Sequence, residues 1–148
     1  EMIKMVRVAE QNDLKILANL AVQMWKHHSE KEIKAEFSYI MAKPETRFFL
    51  KYEKEIPVGF AQCQLRHDYV EGTKTTPVGY LEGIFVKEAY RGRGYAKELL
   101  TTCEIWAKER GCSEFASDCE LDNTESFYFH RAMNFLEANR IICFTKAL

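Results

Sequence analysis

The sequence predicts a single α+β domain over residues 1–148, a mixed sheet with helices on its faces. Three observations predict it. The length suits one compact core, and 47% hydrophobic with 13% aromatic content supplies the side chains to fill it. Segments in which apolar residues alternate interleave with segments in which they recur at helical spacing. Only three prolines and seven glycines occur, which leaves little room for long loops or a linker.

Each element follows in order. Ile3 to Val8 alternates apolar and polar residues, as a half-buried strand does. Asn12 or Asp13 can cap a helix carrying Leu14, Leu17, Leu20, Ala21 and Met24 on one side, up to Trp25. A second helix is predicted from about Glu30 to Met41, with Ile33, Phe37, Ile40 and Met41 together and Pro44 beyond it. Arg47 to Lys51 and Pro57 to Leu65 read as a hairpin around the polar turn Glu53-Lys54-Glu55. Arg66 to Thr76 is a polar loop or hairpin tip, and Pro77 to Val86 is a strong strand. A long helix is predicted from about Gly92 to Arg110, with Ala96, Leu99, Leu100, Cys103 and Trp106 on its apolar side and Gly111 at its end. A short strand from Glu114 to Ser117, a short helix from Asn123 to Met133 and a terminal strand from Leu136 to Lys146 complete the chain. The apolar run Ile141-Ile142-Cys143-Phe144 predicts that this last strand is paired, within the chain or across a dimer.

Composition excludes several classes. A formal net charge of -1 lacks the basic excess of a general nucleic-acid-binding domain. No apolar run approaches the length of a membrane span, and the first ten residues lack a signal-peptide core, so a cytoplasmic location is expected. The five cysteines, at 63, 103, 112, 119 and 143, show no paired spacing, so reduced thiols are expected rather than disulfides. No ligand cluster calls for a metal. His27 and His28 are adjacent and cannot share an ion on one helix face, so they read as surface or pocket-rim residues.

The most informative segment runs from Val86 to Ala96, where a strand ends and a helix begins. Gly92 and Gly94 let a ligand approach the backbone closely. The free N–H groups of a first helical turn form an anion site, reinforced by the helix dipole. Lys87, Arg91, Arg93 and Lys97 surround that turn, with Glu88 opposing them. A pyrophosphate cradle is the reading; a glycine turn with solvated arginines is the structural alternative. Neither a Gly-Lys-Ser/Thr phosphate loop nor the dinucleotide GxGxxG pattern is present.

Charge is partitioned. From Glu114 to Glu125 there are five acids and no Lys or Arg. Glu82 interrupts an apolar strand and Asp118 ends one, places where an acid needs a partner or a job. The structural alternative is a salt bridge or a cap.

Arg91-Gly92-Arg93-Gly94-Tyr95-Ala96 resembles the Arg/Gln-x-x-Gly-x-Gly/Ala motif of the GCN5-related N-acetyltransferases. Asn123-x-x-Ser126-x-x-x-His130-x-x-x-Asn134-Phe135 is similar to that family's late helix, with His130 where a Tyr is common and Asn134 in place of a Gly. The resemblance implies a mostly antiparallel central sheet and acetyl-CoA as co-substrate. It implies that Ile84, Phe85, Val86, Arg91, Gly92, Arg93, Gly94, Tyr95, Ala96, Asn123 and His130 contact that cofactor. His130 is either an acid toward the thiolate or a packing residue.

Blocks from Arg66 to Gly72, Pro77-Val78, Leu81 to Val86 and Ala116 to Asp118 with Asn123 resemble one branch, the bacterial chromosomal-type aminoglycoside 6'-N-acetyltransferases. This branch implies an acceptor pocket lined by Trp25, Tyr69, Glu82, Asp118 and Glu137, Asp118 as general base, and a homodimer. Carboxylates facing the acceptor suit a cationic amine. Alternatives keep the fold and change the acceptor to a polyamine or a peptide or protein amine. An acetyl-CoA sensor without turnover is an alternative of another class, against which Asp118 and Glu82 argue.

Overall fold

The computed structural model describes residues 6–148. Its elements are β1 (Val6–Val8), α1 (Leu14–Met24), α2 (Glu30–Met41), β2 (Thr46–Glu53), β3 (Ile56–Arg66), β4 (Val78–Val86), α3 (Tyr95–Glu109), β5 (Phe115–Ser117) and α4 (Thr124–Ala132). Strands β1 to β5 lie in sequence order in one sheet. The pairs β1–β2, β2–β3 and β3–β4 are antiparallel, and β4–β5 is parallel. The sheet is therefore mixed and mostly antiparallel, as expected. The predicted first strand is met at Val6–Val8; its residues 3–5 lie outside the described residues.

Strand alternation divides the core into two layers. Adjacent Phe48 and Phe49 point to opposite faces, as do Phe60 and Ala61. Phe48, Leu50 and Phe60 meet Leu17 and Leu20 of α1 and Ile33 and Phe37 of α2. Phe49, Ala61, Cys63 and Leu81 meet Leu99, Leu100, Cys103 and Trp106 of α3. Each helix buries its apolar stripe on one sheet face, which is what stabilises helices of this length.

The ends of the helices show where side chains overruled the predicted caps. Ser29 caps α2 in a reciprocal box with Glu32. Asp13 stands at the N-cap of α1, but its carboxylate turns back to the Glu10 N–H and to Arg7 instead. Helix α3 starts at Tyr95, three residues later than predicted, because Gly92 and Gly94 both hold positive φ (80° and 83°). Asn134 takes the left-handed position after α4, at φ 71°, which asparagine tolerates.

One predicted element is absent. Leu136 to Lys146 does not form a strand; the segment is irregular and exposed. Leu136, Ile141, Ile142 and Phe144 are 68–88% exposed. The segment pairs with neither the outer edge of β5 nor the open edge of β4. The tail touches the rest of the chain through Asn139 Nδ2, which donates to Glu71 at 2.7 Å, and through Ala138 beside Gly72.

Three cysteines are buried (Cys63, Cys103, Cys112) and two are exposed (Cys119, Cys143); all five are free thiols. No described helix is long and apolar enough to cross a membrane, and no group of His, Cys, Asp or Glu among the described residues could hold a metal.

Candidate active site

The site is built where β4 and β5 part. Their pairing covers only Gly79 to Leu81 against Phe115 to Ser117. Beyond that, β4 continues to Val86 with β3 on one side only. Phe85 turns its carbonyl toward Gly59 of β3, and the Lys87 N–H donates to Val58. Backbone groups of successive residues alternate direction along a strand, so those of Ile84 and Val86 point to the open edge. An unpaired edge can take an extended, amide-bearing ligand as an added strand.

The glycine turn lies beyond the end of this edge. A β-carbon added at Gly92 or Gly94 would meet nothing within 4 Å, so the space above the turn is open to a ligand. No side chain caps α3, which leaves its first-turn N–H groups for an anion. Arg91 donates from Nε to the Val86 carbonyl at 2.8 Å and stands 3.7 Å from Glu125. Arg93 donates to Glu53 at 2.6 Å, and the Tyr95 hydroxyl donates to the same carboxylate. These two bonds hold the Glu53 carboxyl below its ordinary range. Glu53, read from sequence as part of a polar turn, thus braces the turn against β2. Lys51 repeats the device one pair of residues back: its ammonium is buried, 2.6 Å from Glu98 and 4.5 Å above the Tyr95 ring.

The acidic side is equally specific. Register between β3 and β4 shifts between Gln62↔Gly83 and Cys63↔Leu81, so Glu82 is the extra residue of a bulge. A bulge re-aims the side chain it carries. Glu82 Oε2 accepts from Gln64 Nε2 at 2.5 Å and from Arg66 Nη2 at 2.8 Å. All of its bonds fall on that one oxygen, and Oε1 has no partner among the described residues. Asp118 follows the last residue of β5. Its Oδ2 accepts from the Tyr80 hydroxyl, and Oδ1 has no described partner. Burial and the neighbouring Asp118 carboxylate push the Tyr80 phenol well above its ordinary value, so it stays a donor. The Arg66 guanidinium stacks 3.5 Å from the Tyr80 ring centre, which ties both carboxylates into one network. The salt bridge weighed for Glu82 therefore exists, yet each acid keeps one oxygen free.

The remaining predicted residues divide. Trp25 packs edge-on against Phe37 and Phe60 and lies over Gly83, next to Glu82. It is both core and site wall. His130 has both ring nitrogens engaged: Nδ1 donates to the Ser126 carbonyl at 2.7 Å, and Nε2 is hydrogen-bonded to the Ser117 hydroxyl at 2.8 Å. That arrangement brackets α4 to β5. Asn123 caps α4 by accepting from the Ser126 N–H at 3.1 Å. Tyr69 is 76% exposed on the loop before β4. Glu137 is bound to Arg140 on the tail, outside the Glu82–Asp118 network. Glu114 is spent on the loop before β4, accepting from the Lys74 and Thr75 N–H groups.

Gln64, Arg66, Tyr80 and Glu53 are the site residues that sequence reading did not single out as such. Their signal is weak, because a polar residue in a strand reports its function only once register shows what faces it.

Residues 12–135 match the model of the acetyltransferase (GNAT) family. The chain is similar to an aminoglycoside N(6')-acetyltransferase type 1 of Serratia marcescens, with 35% identity over 97% of this chain and 99% of that one. Among solved structures, it is similar to an aminoglycoside 6'-N-acetyltransferase of Acinetobacter haemolyticus (TM-score 0.92, 35% identity, 97% of this chain and 98% of that one). It is also similar to AAC(6')-Iy in complex with the bisubstrate analogue CoA-S-monomethyl-acetylneamine (TM-score 0.91, 34% identity, 97% of each chain).

Proposed function

The chain belongs to the acetyltransferase (GNAT) family, and on that premise we propose that it transfers acetyl from acetyl-CoA to the 6'-amine of aminoglycosides. Transfer is direct, in a ternary complex. The observation that carries the reading is the parting of β4 and β5, with an open anion cradle at one end and two half-free carboxylates beside it. The resistance-enzyme relatives, one of them bound to a CoA–neamine conjugate, support the same substrates.

The residues divide the work as follows. The first turn of α3 and Arg91 hold the pyrophosphate, with Gly92 and Gly94 giving it access. The open edge of β4 at Ile84 and Val86 receives the pantetheine arm. An alkylammonium is protonated near neutral pH, so Asp118 takes its proton, directly or through water. The freed nitrogen lone pair attacks the thioester carbonyl, the C–S bond breaks to release the CoA thiolate, and the surplus proton on the nitrogen passes to that thiolate or to solvent. A thiolate with an ordinary value of about 8.5 needs little help in leaving. The oxyanion that forms is received by the Val86 N–H, the one of Phe85 and Val86 that faces the open edge. Glu82 binds a second ammonium through Oε1, and Trp25 and Tyr69 offer ring faces to the sugars; Glu137 joins them only by giving up its pair with Arg140.

We read residues 1–148 as one domain and the assembly as a homodimer. The exposed Ile141, Ile142 and Phe144 support a second copy as the cover for the tail. Free thiols and an acetyl-CoA-consuming reaction suit the cytoplasm.

The test is CoA-thiol release with matched aminoglycosides carrying a 6'-amine or a 6'-hydroxyl. Turnover only with the amine is expected. Turnover with both moves the acetylated position, and turnover with neither, while CoA binds, returns polyamines and peptide amines as acceptors.

A further inference from the structure

Next to the site lies a cavity of about 160 Å³ between α1, α2 and β3, lined by Trp25, His28, Ile33, Glu36, Phe37 and Gln62. Gln62 forms its floor. Its residue is 8% exposed, and no described residue hydrogen-bonds its side-chain amide. The amide atoms are open to solvent through the cavity, so a ligand can take the place of water on them. The neighbours of Gln62 show why the space exists. It pairs with Phe48 on one side and Gly83 on the other. Gly83 carries no side chain, and the Trp25 indole lies above it. Glu36, on the exposed side of α2, brings a carboxylate to the mouth.

We propose that this cavity is a subsite of the acceptor site that takes an alkylammonium substituent other than the amine acetylated. The proposal rests on the aminoglycoside reading above. The chemistry matches on three sides: the Gln62 carbonyl oxygen accepts from the ammonium, the Glu36 carboxylate opposes its charge, and the Trp25 face attracts it. Size limits the occupant. Pockets for whole drug-sized ligands run from about 300 Å³, so this one admits a substituent or part of a ring. Trp25 is the shared wall: one part of it lies over Gly83 beside Glu82, and another closes the cavity. An acceptor with a second amine is thereby gripped at two points, and one with a single amine at one.

The experiment compares neamine, which has several amines, with 6-amino-6-deoxyglucose, which has one. The Gln62→Leu variant removes the acceptor atom and keeps the bulk. The kcat/KM ratio of neamine to the monoamine is expected to fall about tenfold, equivalent to about 1.4 kcal/mol. The Gln62→Glu variant is expected to raise it. In parallel, Trp106→Phe leaves Trp25 as the sole tryptophan, whose fluorescence titrates neamine binding without turnover. Here Gln62→Leu is expected to raise the Kd for neamine about tenfold. Equal losses with both acceptors, or an unchanged ratio, overturn the subsite. If the parent protein acetylates neither compound, the functional reading fails. The fluorescence arm then decides the subsite alone: a Kd unmoved by Gln62→Leu, or no titration at all, overturns it.

Discussion

Replacing Asp118 with Asn tests the mechanism at its centre. The change is nearly isosteric. The Tyr80 hydroxyl that donates to Oδ2 can donate equally to an amide oxygen, so the contact survives as a neutral hydrogen bond. Losing the charge assistance costs about 1 kcal/mol of stability. What disappears is the proton acceptor at Oδ1, the oxygen with no described partner. A positioned base contributes about 10²–10⁴-fold, so kcat/KM for a 6'-amine acceptor at pH 7 is expected to fall by that factor. At 1.36 kcal/mol per decade, this is about 2.7–5.4 kcal/mol of barrier. Binding of acetyl-CoA, assigned above to the α3 turn and the β4 edge, is expected to stay within about twofold. The amine can also shed its proton to solvent. For an amine near the lysine value of about 10.4, the neutral fraction grows tenfold per pH unit below that value. The variant's rate is therefore expected to rise with unit slope between pH 7 and 9, closing on the parent. The assay is thiol release followed over that range, with CoA affinity measured by calorimetry. Unchanged turnover at pH 7, or a deficit that does not narrow at pH 9, refutes Asp118 as the base.

Four further outcomes are expected. Gly94→Ala forces a β-carbon into left-handed backbone with no steric contact to blame; at about 1–2 kcal/mol, KM for acetyl-CoA is expected to rise about 5- to 30-fold with kcat little changed, and an unchanged KM counts against the cradle. Glu98→Ala strands the buried Lys51 ammonium, whereas Lys51→Met removes the charge altogether. In urea unfolding, the first is expected to cost about 1–3 kcal/mol, less than a fully buried pair because Glu98 is half exposed, and the second to stay within about 1 kcal/mol. The Asp13 carboxyl is held below its ordinary range chiefly by the bonds from Arg7. Its contribution is present above the unfolded value of about 3.9 and lost as pH falls through the folded one. Acid unfolding below pH 4 is accordingly expected to be less steep in Asp13→Asn than in the parent. Finally, Ile142→Asp with Phe144→Asp is expected to convert a dimer to a monomer in sedimentation; a parent that already sediments as a monomer removes the homodimer.

What the sequence determined by itself was local and periodic. The two apolar periods placed eight of the described elements close to their true bounds, because burial on a strand or helix face repeats along the chain. The Arg91-to-Ala96 turn was legible because its two positive-φ glycines and the helix start are adjacent in sequence. Glu82 and Asp118 were legible as acids out of place.

Tertiary structure decided the rest, for reasons of register and partner. A one-residue bulge aims Glu82, and no pattern in the strand reports it. Tyr80 and Asp118 meet across a parallel pair separated by the whole of α3, so their bond is invisible to spacing. Glu53 became a brace only when β2 came beside the glycine turn. The tail marks the limit from the other side. Its apolar run called for a strand, yet it pairs with neither the open edge of β4 nor the outer edge of β5 and stays exposed. Period and turn chemistry are written in neighbouring residues, whereas the pairing of distant ones exists only after the chain has folded.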